Sequence, residues 1–171
     1  MGLGNILVTC ATPPDVPAVA ALHHAHLTYH TAFDERYRPL PARNYESTYE
    51  DLLRDPLAGV LVARSNDRVV GFVSLRLHED VRADERPAWL PSLRRRPRHT
   101  GSGTLVDLFV ADECRRQGVG STLVEAAMRW FTERGVTDIN LGVMADNQAG
   151  LAFWRRMGFT DYRLQMRRLL D

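Results

Sequence analysis

The residues from Arg115 to Gly120, Arg-Arg-Gln-Gly-Val-Gly, combine side-chain charge with backbone freedom. Gly118 and Gly120 let a ligand approach the main chain closely, because no side chain stands in the way. The two arginines carry their charge on planar forks that suit phosphate oxygens. A helix that begins here also presents free N–H groups and a positive end to an anion. The stretch therefore predicts a binding site for a ligand that carries phosphate.

Such a site needs a strand before the glycines and a helix after them. Thr104 to Val110 is an apolar run typical of a strand. After Gly118, apolar residues recur with the spacing of an amphipathic helix that ends at Gly135. A hairpin is predicted upstream, around the turn Ser65-Asn66-Asp67-Arg68.

The whole pattern predicts an α+β fold, in which helices flank a mixed, mainly antiparallel sheet. The remaining predicted elements are a strand at Asn5–Cys10, helices at Asp15–Tyr29 and Glu46–Arg54, a loop insert at Glu79–Thr100, a strand at Ile139–Met144, a helix capped by Asp146 or Asn147, and a strand or hairpin at Phe159–Leu170.

Two common phosphate sites do not match. Ser121 follows Gly118-x-Gly120, so the third glycine of a dinucleotide fingerprint is missing. The chain has no lysine, which excludes a Walker-type phosphate loop. Taken alone, the glycines could form an ordinary strand–helix turn, Asn147 could be a helix cap, and Asp107 could be a structural hydrogen-bonding group.

A second motif favours a functional role for these residues over the purely structural alternatives. Arg115-x-x-Gly118-x-Gly120 is followed by Asn147 and then by Phe153-Trp154-x-x-x-Gly158-Phe159. This ordered pair resembles the GNAT superfamily of acetyl-coenzyme A dependent N-acetyltransferases, most firmly from residue 104 to residue 159. The resemblance implies the GNAT fold and acetyl-CoA as co-substrate. It also implies a set of cofactor-binding residues: backbone groups of Leu108, Phe109 and Val110 for the pantetheine, Arg115, Arg116, Gln117, Gly118, Val119, Gly120 and Ser121 for the pyrophosphate, and Asn147 with Trp154 beside the pantetheine.

The implied reaction moves an acetyl group to a primary amine of a small molecule or peptide by direct attack. Asp107 is the candidate base and Asn147 the second candidate catalytic residue. Many family members carry a tyrosine seven residues after the asparagine, as the acid for the departing sulfur, where this chain has Trp154. An indole N–H donates a hydrogen bond but does not give up its proton, so a slower enzyme is expected unless Tyr162 or another hydroxyl substitutes. The alternatives are a catalytically weak acetyl-CoA-binding module, such as a sensor, and an unrelated nucleotide-binding domain.

Four histidines crowd the first predicted helix: His23, His24, His26 and His30. Because no carboxylate or cysteine joins them at motif spacing, we expect no metal, and we assign them to the helix surface or to the acceptor pocket.

Composition sets the remaining expectations. The chain has 171 residues and a formal net charge of +1, which predicts one domain over residues 1–171 and no general attraction to nucleic acid or membrane. Two cysteines without a pattern, and no apolar run long enough for a membrane, favour a reduced, cytoplasmic protein. The sequence leaves the oligomeric state open, with a homodimer as the alternative that family habit suggests.

Overall fold

The computed structural model describes residues 5–40, 43–78 and 101–168. Its strands are β1 (Ile6–Cys10), β2 (Ala58–Ser65), β3 (Arg68–His78), β4 (Ser102–Val110) and β5 (Asp138–Asn140). Its α-helices are α1 (Val16–Thr31), α2 (Tyr45–Arg54), α3 (Val119–Thr132) and α4 (Gln148–Arg156), and short 3-10 helices lie at Pro13–Asp15, Glu35–Tyr37 and Asp112–Cys114.

The strands form one sheet in the order β1-β2-β3-β4-β5. The first four strands pair antiparallel, and β5 runs parallel to β4. The predicted hairpin joins β2 to β3, where Asn66 and Asp67 both adopt positive φ, as a tight hairpin turn requires. The predicted α+β class, with a mixed and mainly antiparallel sheet, is confirmed.

Side-chain caps fix the starts of two helices. The Asn44 side chain accepts a hydrogen bond from the Ser47 N–H at 3.2 Å and begins α2. The Asn147 side chain accepts from the Gly150 N–H at 2.9 Å and begins α4, so Asn147 is the cap rather than Asp146.

Apolar side chains cover both faces of the sheet. One face packs against α3 and the other against α1 and α2, which leaves β3 and β4 between two apolar layers. The α3 layer includes Val73, Leu75, Leu105, Leu123, Ala127 and Phe131. The α1–α2 layer includes Val16, Val19, Tyr49, Val62, Phe72 and Phe109.

Two predicted strands differ from the structure. The strand predicted at Ile139–Met144 is shorter in the structure, where β5 covers only Asp138–Asn140 and the Asn140 side chain donates to the Gly103 carbonyl at 3.2 Å at the end of the ladder. No strand forms from 159 to 168 within the described residues, so the prediction at Phe159–Leu170 is wrong for them. Leu164 in this segment is 81% exposed. A strand needs a neighbouring edge, and the three-residue β5 pairs only with β4 among the described strands.

The insert predicted at Glu79–Thr100 lies outside the described residues. Within the described ranges, no helix is both long and apolar enough to cross a membrane.

Candidate active site

Strand β4 has one open edge. It pairs with β5 only over Ser102 to Thr104. From residue 105 onward, no described strand lies on that side. The opening follows from the early end of β5, and it exposes main-chain groups of β4 beside the start of α3.

The ladder with β3 decides which of these groups face the opening. The Ala111 N–H donates to the Val70 carbonyl at 2.9 Å. Hydrogen-bonded pairs recur at every second residue of an antiparallel ladder, so Phe109 turns its backbone groups toward β3. Leu108 and Val110 turn theirs toward the open edge. Of the three residues predicted to contact pantetheine through their backbone, two therefore have the required orientation.

The glycine turn forms as the spacing predicts. Gly118 has a φ of 85°, which favours glycine, and α3 begins at the next residue. The first-turn amides of a helix have no intrahelical partner, and no side chain of the described residues caps this helix end. A Cβ on Gly118 would meet nothing within 4 Å. The turn thus leaves open space in front of unpaired N–H groups.

Arg115 braces this turn. Its Nε donates to the Val110 carbonyl at 3.0 Å, and its guanidinium pairs with Asp112 at 2.7 Å. The same group lies over the rings of Phe109 and Tyr29, at 4.8 and 5.0 Å from their centroids. These contacts hold the turn against β4, whatever Arg115 contributes to a ligand.

A β-bulge in β4 sets the direction of Asp107. Ser74 pairs with Asp107 but Leu75 pairs with Leu105, so Val106 is an extra residue in β4. Leu105 packs in the α3 layer, while Asp107 faces α1. The Ser74 hydroxyl donates to Asp107 Oδ2 at 2.9 Å. The bulge therefore delivers a carboxylate to the α1 side, immediately before the open-edge residue Leu108.

His23 is held by a buried phenol. Its Nδ1 lies 2.6 Å from the Tyr49 hydroxyl and 4.0 Å from Asp107 Oδ2. Burial, and secondarily the charge of Asp107, raises the pKa of Tyr49, so the phenol stays neutral. Burial also lowers the pKa of His23, against the pull of Asp107. Within the described structure the hydroxyl has no other partner, so it donates to Nδ1, and neutral His23 carries its proton on Nε2.

His26 has an enclosed nitrogen. Its Nδ1 is the one buried side-chain nitrogen or oxygen among the described residues that lacks a hydrogen-bond partner. It lies 3.6 Å from Asp107 Oδ1. Burial lowers the pKa of His26 to about 4, although the Asp107 charge works in the opposite direction. The ring is therefore neutral near pH 7.

The structure brings Asp107 to the histidines, which sequence spacing did not show. One ligand atom from each of His23, His26 and Asp107 lies within 4.8 Å of the others, so the three could surround a cation. As arranged, however, His23 Nδ1 is engaged by Tyr49 and His26 Nδ1 is enclosed. The arrangement favours a hydrogen-bonded cluster, and the absence of a metal stays a prediction.

Asn147 and Trp154, which were predicted to contact the pantetheine, have structural roles in and around α4. Asn147 is buried and caps the helix. Trp154 lies between Phe153 and Phe159, with ring centroids 4.9 and 5.4 Å away, and packs against the α3 layer. Tyr162, the possible replacement acid, is 73% exposed.

Sequence reasoning missed Tyr49 and Ser74. In the sequence, Tyr49 has the pattern of an apolar position of a short helix. Ser74 is one polar residue within an apolar strand. No local signal indicates that the two reach His23 and Asp107 through hydrogen bonds.

Three comparisons place the chain among known proteins. N-alpha-acetyltransferase 30 of Schizosaccharomyces pombe is 29% identical over 113 residues, 64% of this chain and 63% of that protein. The chain spans less than two thirds of the curated relatives that it matches. A mutant of the BH1408 protein from Bacillus halodurans has a TM-score of 0.80 at 22% identity, covering 96% of this chain and 99% of that one. The aminoglycoside N-acetyltransferase AAC(6')-Iy, in complex with CoA, has a TM-score of 0.72 at 16% identity, covering 96% and 95%.

At these identities the structural likenesses show the fold. The family itself is shown by the model of the acetyltransferase (GNAT) family, which matches residues 20–159 and so spans both the glycine turn and the histidine–aspartate cluster. The chain belongs to the acetyltransferase (GNAT) family.

Proposed function

We propose that this protein is an acetyl-CoA dependent N-acetyltransferase that acts on a primary amine of a small molecule or peptide. One observation carries the proposal: β4 combines an open backbone edge at Leu108 and Val110 with a carboxylate at Asp107. The edge suits an acyl donor, and the carboxylate on the α1 side suits an amine. Adjacent residues of one strand thus serve the two substrates of an acyl transfer.

The cofactor would lie along the open edge and end at α3. Pantetheine amides would pair with the backbone groups of Leu108 and with the N–H of Val110, whose carbonyl already accepts Arg115 Nε, as an added strand does. The pyrophosphate would bind the unpaired amides that follow Gly118, where the positive end of the helix adds attraction. The exposed Arg116 would supply charge at the same turn. These groups fit an acidic, amide-bearing ligand.

In the reaction, the amine attacks the thioester carbonyl and coenzyme A leaves through its sulfur. A free alkylamine has a pKa near ~10.4, so it must lose a proton before it can attack. The cluster around Asp107 is where we place the acceptor for that proton. N–H groups at the open edge would stabilise the negative charge on the carbonyl oxygen.

Trp154 does not supply a proton to the leaving sulfur, because an indole N–H donates a hydrogen bond but does not give up its proton. A thiol with a pKa near ~8.5 leaves as a thiolate without prior protonation. The relatives support an amine acceptor: one is named an aminoglycoside N-acetyltransferase and another an N-alpha-acetyltransferase.

Calorimetry with acetyl-CoA tests the first half of the proposal, with ATP and NAD as comparison ligands. Acetyl-CoA at ~100 times its Kd should stabilise the protein by about 2.7 kcal/mol, whereas ATP and NAD should do little. Thiol release with a panel of amines, including aminoglycosides and peptides, tests the second half. Binding without release for every amine would identify a binding module instead of an enzyme.

Ser121, in the first turn of α3, offers a matched pair of variants. Ser121→Asp places a carboxylate where a helix tolerates it well, so the fold should keep or gain stability. The same carboxylate should repel the pyrophosphate and weaken acetyl-CoA binding by about tenfold or more, which is about 1.4 kcal/mol. Ser121→Asn has the same size without the charge and should bind nearly as the wild type. Equal affinities for the two variants would place the pyrophosphate elsewhere.

A further inference from the structure

The enclosed nitrogen of His26 is unusual, because buried polar atoms almost always have partners. Its nearest charged neighbour is Asp107, with 3.6 Å between Nδ1 and Oδ1. That separation is slightly too long for a hydrogen bond. Hydrogen bonds in enzyme sites often shorten when substrate binds. The pair is therefore poised to form an Nδ1–H to carboxylate hydrogen bond.

The other nitrogen of the same ring is placed differently. Nε2 lies across the imidazole from Nδ1 and is not enclosed in the same way. The ring packs edge-on against His30, at 4.3 Å between centroids, and tilted against Phe109, at 5.5 Å. These contacts fix the ring plane, with Nδ1 beside the carboxylate and Nε2 at the opposite side of the ring.

Building on the proposed function, we propose that His26 is the proton acceptor of the reaction and that Asp107 is a positioning residue that holds its Nδ1–H tautomer. The amine nitrogen forms its bond to the thioester carbonyl carbon, the carbon–sulfur bond breaks, and the electron pair leaves with the sulfur. Of the two protons lost by an alkylammonium substrate, one passes to Nε2 of His26. The other ends on the sulfur of coenzyme A.

His23 and Asp107 are less suited to accept the proton themselves. Nδ1 of His23 already receives the Tyr49 hydroxyl, and that hydrogen bond places the ring proton on Nε2. Asp107 Oδ2 already receives the Ser74 hydroxyl. Among the described residues, His26 combines an Nε2 that is not engaged in a hydrogen bond with a carboxylate beside its other nitrogen, as in histidine bases that an aspartate orients.

Burial and the nearby positive charges keep the His26 ring neutral in the resting protein. Asp107 on β4 favours the protonated ring, whereas His23 and His30 on α1 and Arg115 beside the glycine turn oppose protonation. Burial opposes it most strongly, and the pKa of His26 falls to about 4. When a proton arrives on Nε2, Asp107 stabilises the imidazolium from the opposite side of the ring.

Steady-state kinetics on the full chain test the assignment, with an amine that the wild type acetylates. His26→Gln should lower kcat by about 100-fold or more, the usual scale for a general base, and leave the KM for acetyl-CoA unchanged. It should also remove the acid limb of the kcat/KM profile. Asp107→Asn should lower kcat less and move that limb to lower pH, because the imidazolium loses its stabilising charge. The structure places His24 on the exposed surface of the same helix, apart from the Asp107 cluster, so His24→Gln should match the wild type.

Two further measurements separate catalysis from folding. Imidazole added to His26→Ala should restore part of the rate, which a variant that only disturbs the structure would not show. NMR of the histidine rings should show Nδ1–H on His26 and Nε2–H on His23 in the resting protein. Acetyl-CoA calorimetry on each variant shows whether the cofactor site is intact.

Three outcomes overturn the proposal. If Asp107→Asn abolishes the acid limb and His26→Gln retains it, the carboxylate is the base. An Nε2–H tautomer on His26 removes the accessible acceptor atom. A wild type that acetylates no amine fails the proposed function itself, a result distinct from a loss seen only in the His26 variants.

Discussion

Replacing Tyr49 with phenylalanine isolates one hydrogen bond of the candidate site. The Tyr49 side chain is 2% exposed, and its hydroxyl lies 2.6 Å from His23 Nδ1. Its ring packs edge-on against Phe72 at 5.7 Å between centroids, a contact that phenylalanine keeps. The substitution therefore removes only the O–H group and leaves the buried Nδ1 of His23 without its donor.

The expected cost follows from leaving a buried acceptor unpaired, which is about 1–3 kcal/mol. For a chain of this size each kcal/mol lowers Tm by about 2–4 °C, so the variant should melt about 2–12 °C below the wild type. Tyr45→Phe is the matched control on the same helix. The Tyr45 hydroxyl accepts the Leu40 N–H at 3.0 Å in an exposed position, so its loss should change stability by no more than about 0.5 kcal/mol.

Thermal and urea unfolding of the two variants at pH 7.5 measure the difference. Equal melting temperatures would refute the assignment of a buried hydrogen bond to Tyr49. NMR of the His23 ring also tests the direction of the bond: the assigned geometry predicts Nε2–H, and an Nδ1–H would show that the ring donates to the phenol oxygen instead.

Three further predictions concern stability. The free energy of unfolding should fall by up to about 3 kcal/mol from pH 6.5 to 4, because the pKa of His26 is near 6.5 in the unfolded chain but about 4 in the folded one. Urea titrations at several pH values should show a weaker dependence of this free energy on pH for His26→Gln. Asp15→Asn should cost about 3 kcal/mol, since Arg64, 2.6 Å away, loses its buried charged partner; a wild-type melting temperature would contradict this. Gly103→Ala would place a Cβ in steric overlap with the Phe131 ring and should cost about 1–3 kcal/mol in thermal unfolding. Gly142→Ala, where a Cβ meets nothing within 4 Å, is its control and should melt close to wild type.

Most elements were predictable because their signals are local. The apolar spacing after Gly118 predicts α3, and the positive φ values at Asn66 and Asp67 satisfy the predicted hairpin turn. The strand–turn–helix order around Gly118 needs only neighbouring residues to form. The expected order of a phosphate-binding turn therefore agrees with the structure, while the ligand itself remains a proposal.

The direction of Asp107 was not predictable from strand alternation. Residues two apart in a regular strand share a face, so Asp107 should lie with Leu105 in the α3 layer. Val106 breaks the alternation and turns the carboxylate to α1. A bulge depends on how a strand pairs with its neighbour, and no local sequence pattern indicates the register between β3 and β4. The same limit explains why Asp107 was not connected with the histidines of α1.

The two strand errors near the chain's end have a related cause. Apolar residues at Ile139–Met144 and Phe159–Leu170 satisfy the composition of a strand, but a strand also needs an edge to pair with. β5 ends at Asn140, whose side chain donates a hydrogen bond to the Gly103 carbonyl. The early end is also what opens the β4 edge, so the failed strand prediction and the candidate cofactor site share one origin.

Two departures from regular β structure together create the candidate site. The end of β5 leaves the backbone edge of Leu108 and Val110 without a partner strand, and the bulge at Val106 turns Asp107 to the α1 face. If β4 were regular, Asp107 would lie among apolar side chains of the α3 layer and His26 would have no carboxylate behind it. If β5 continued, the backbone groups proposed to bind the acyl donor would be paired. The function proposed for this chain therefore rests on where its sheet is irregular, and the surrounding regular structure keeps those two irregularities in place.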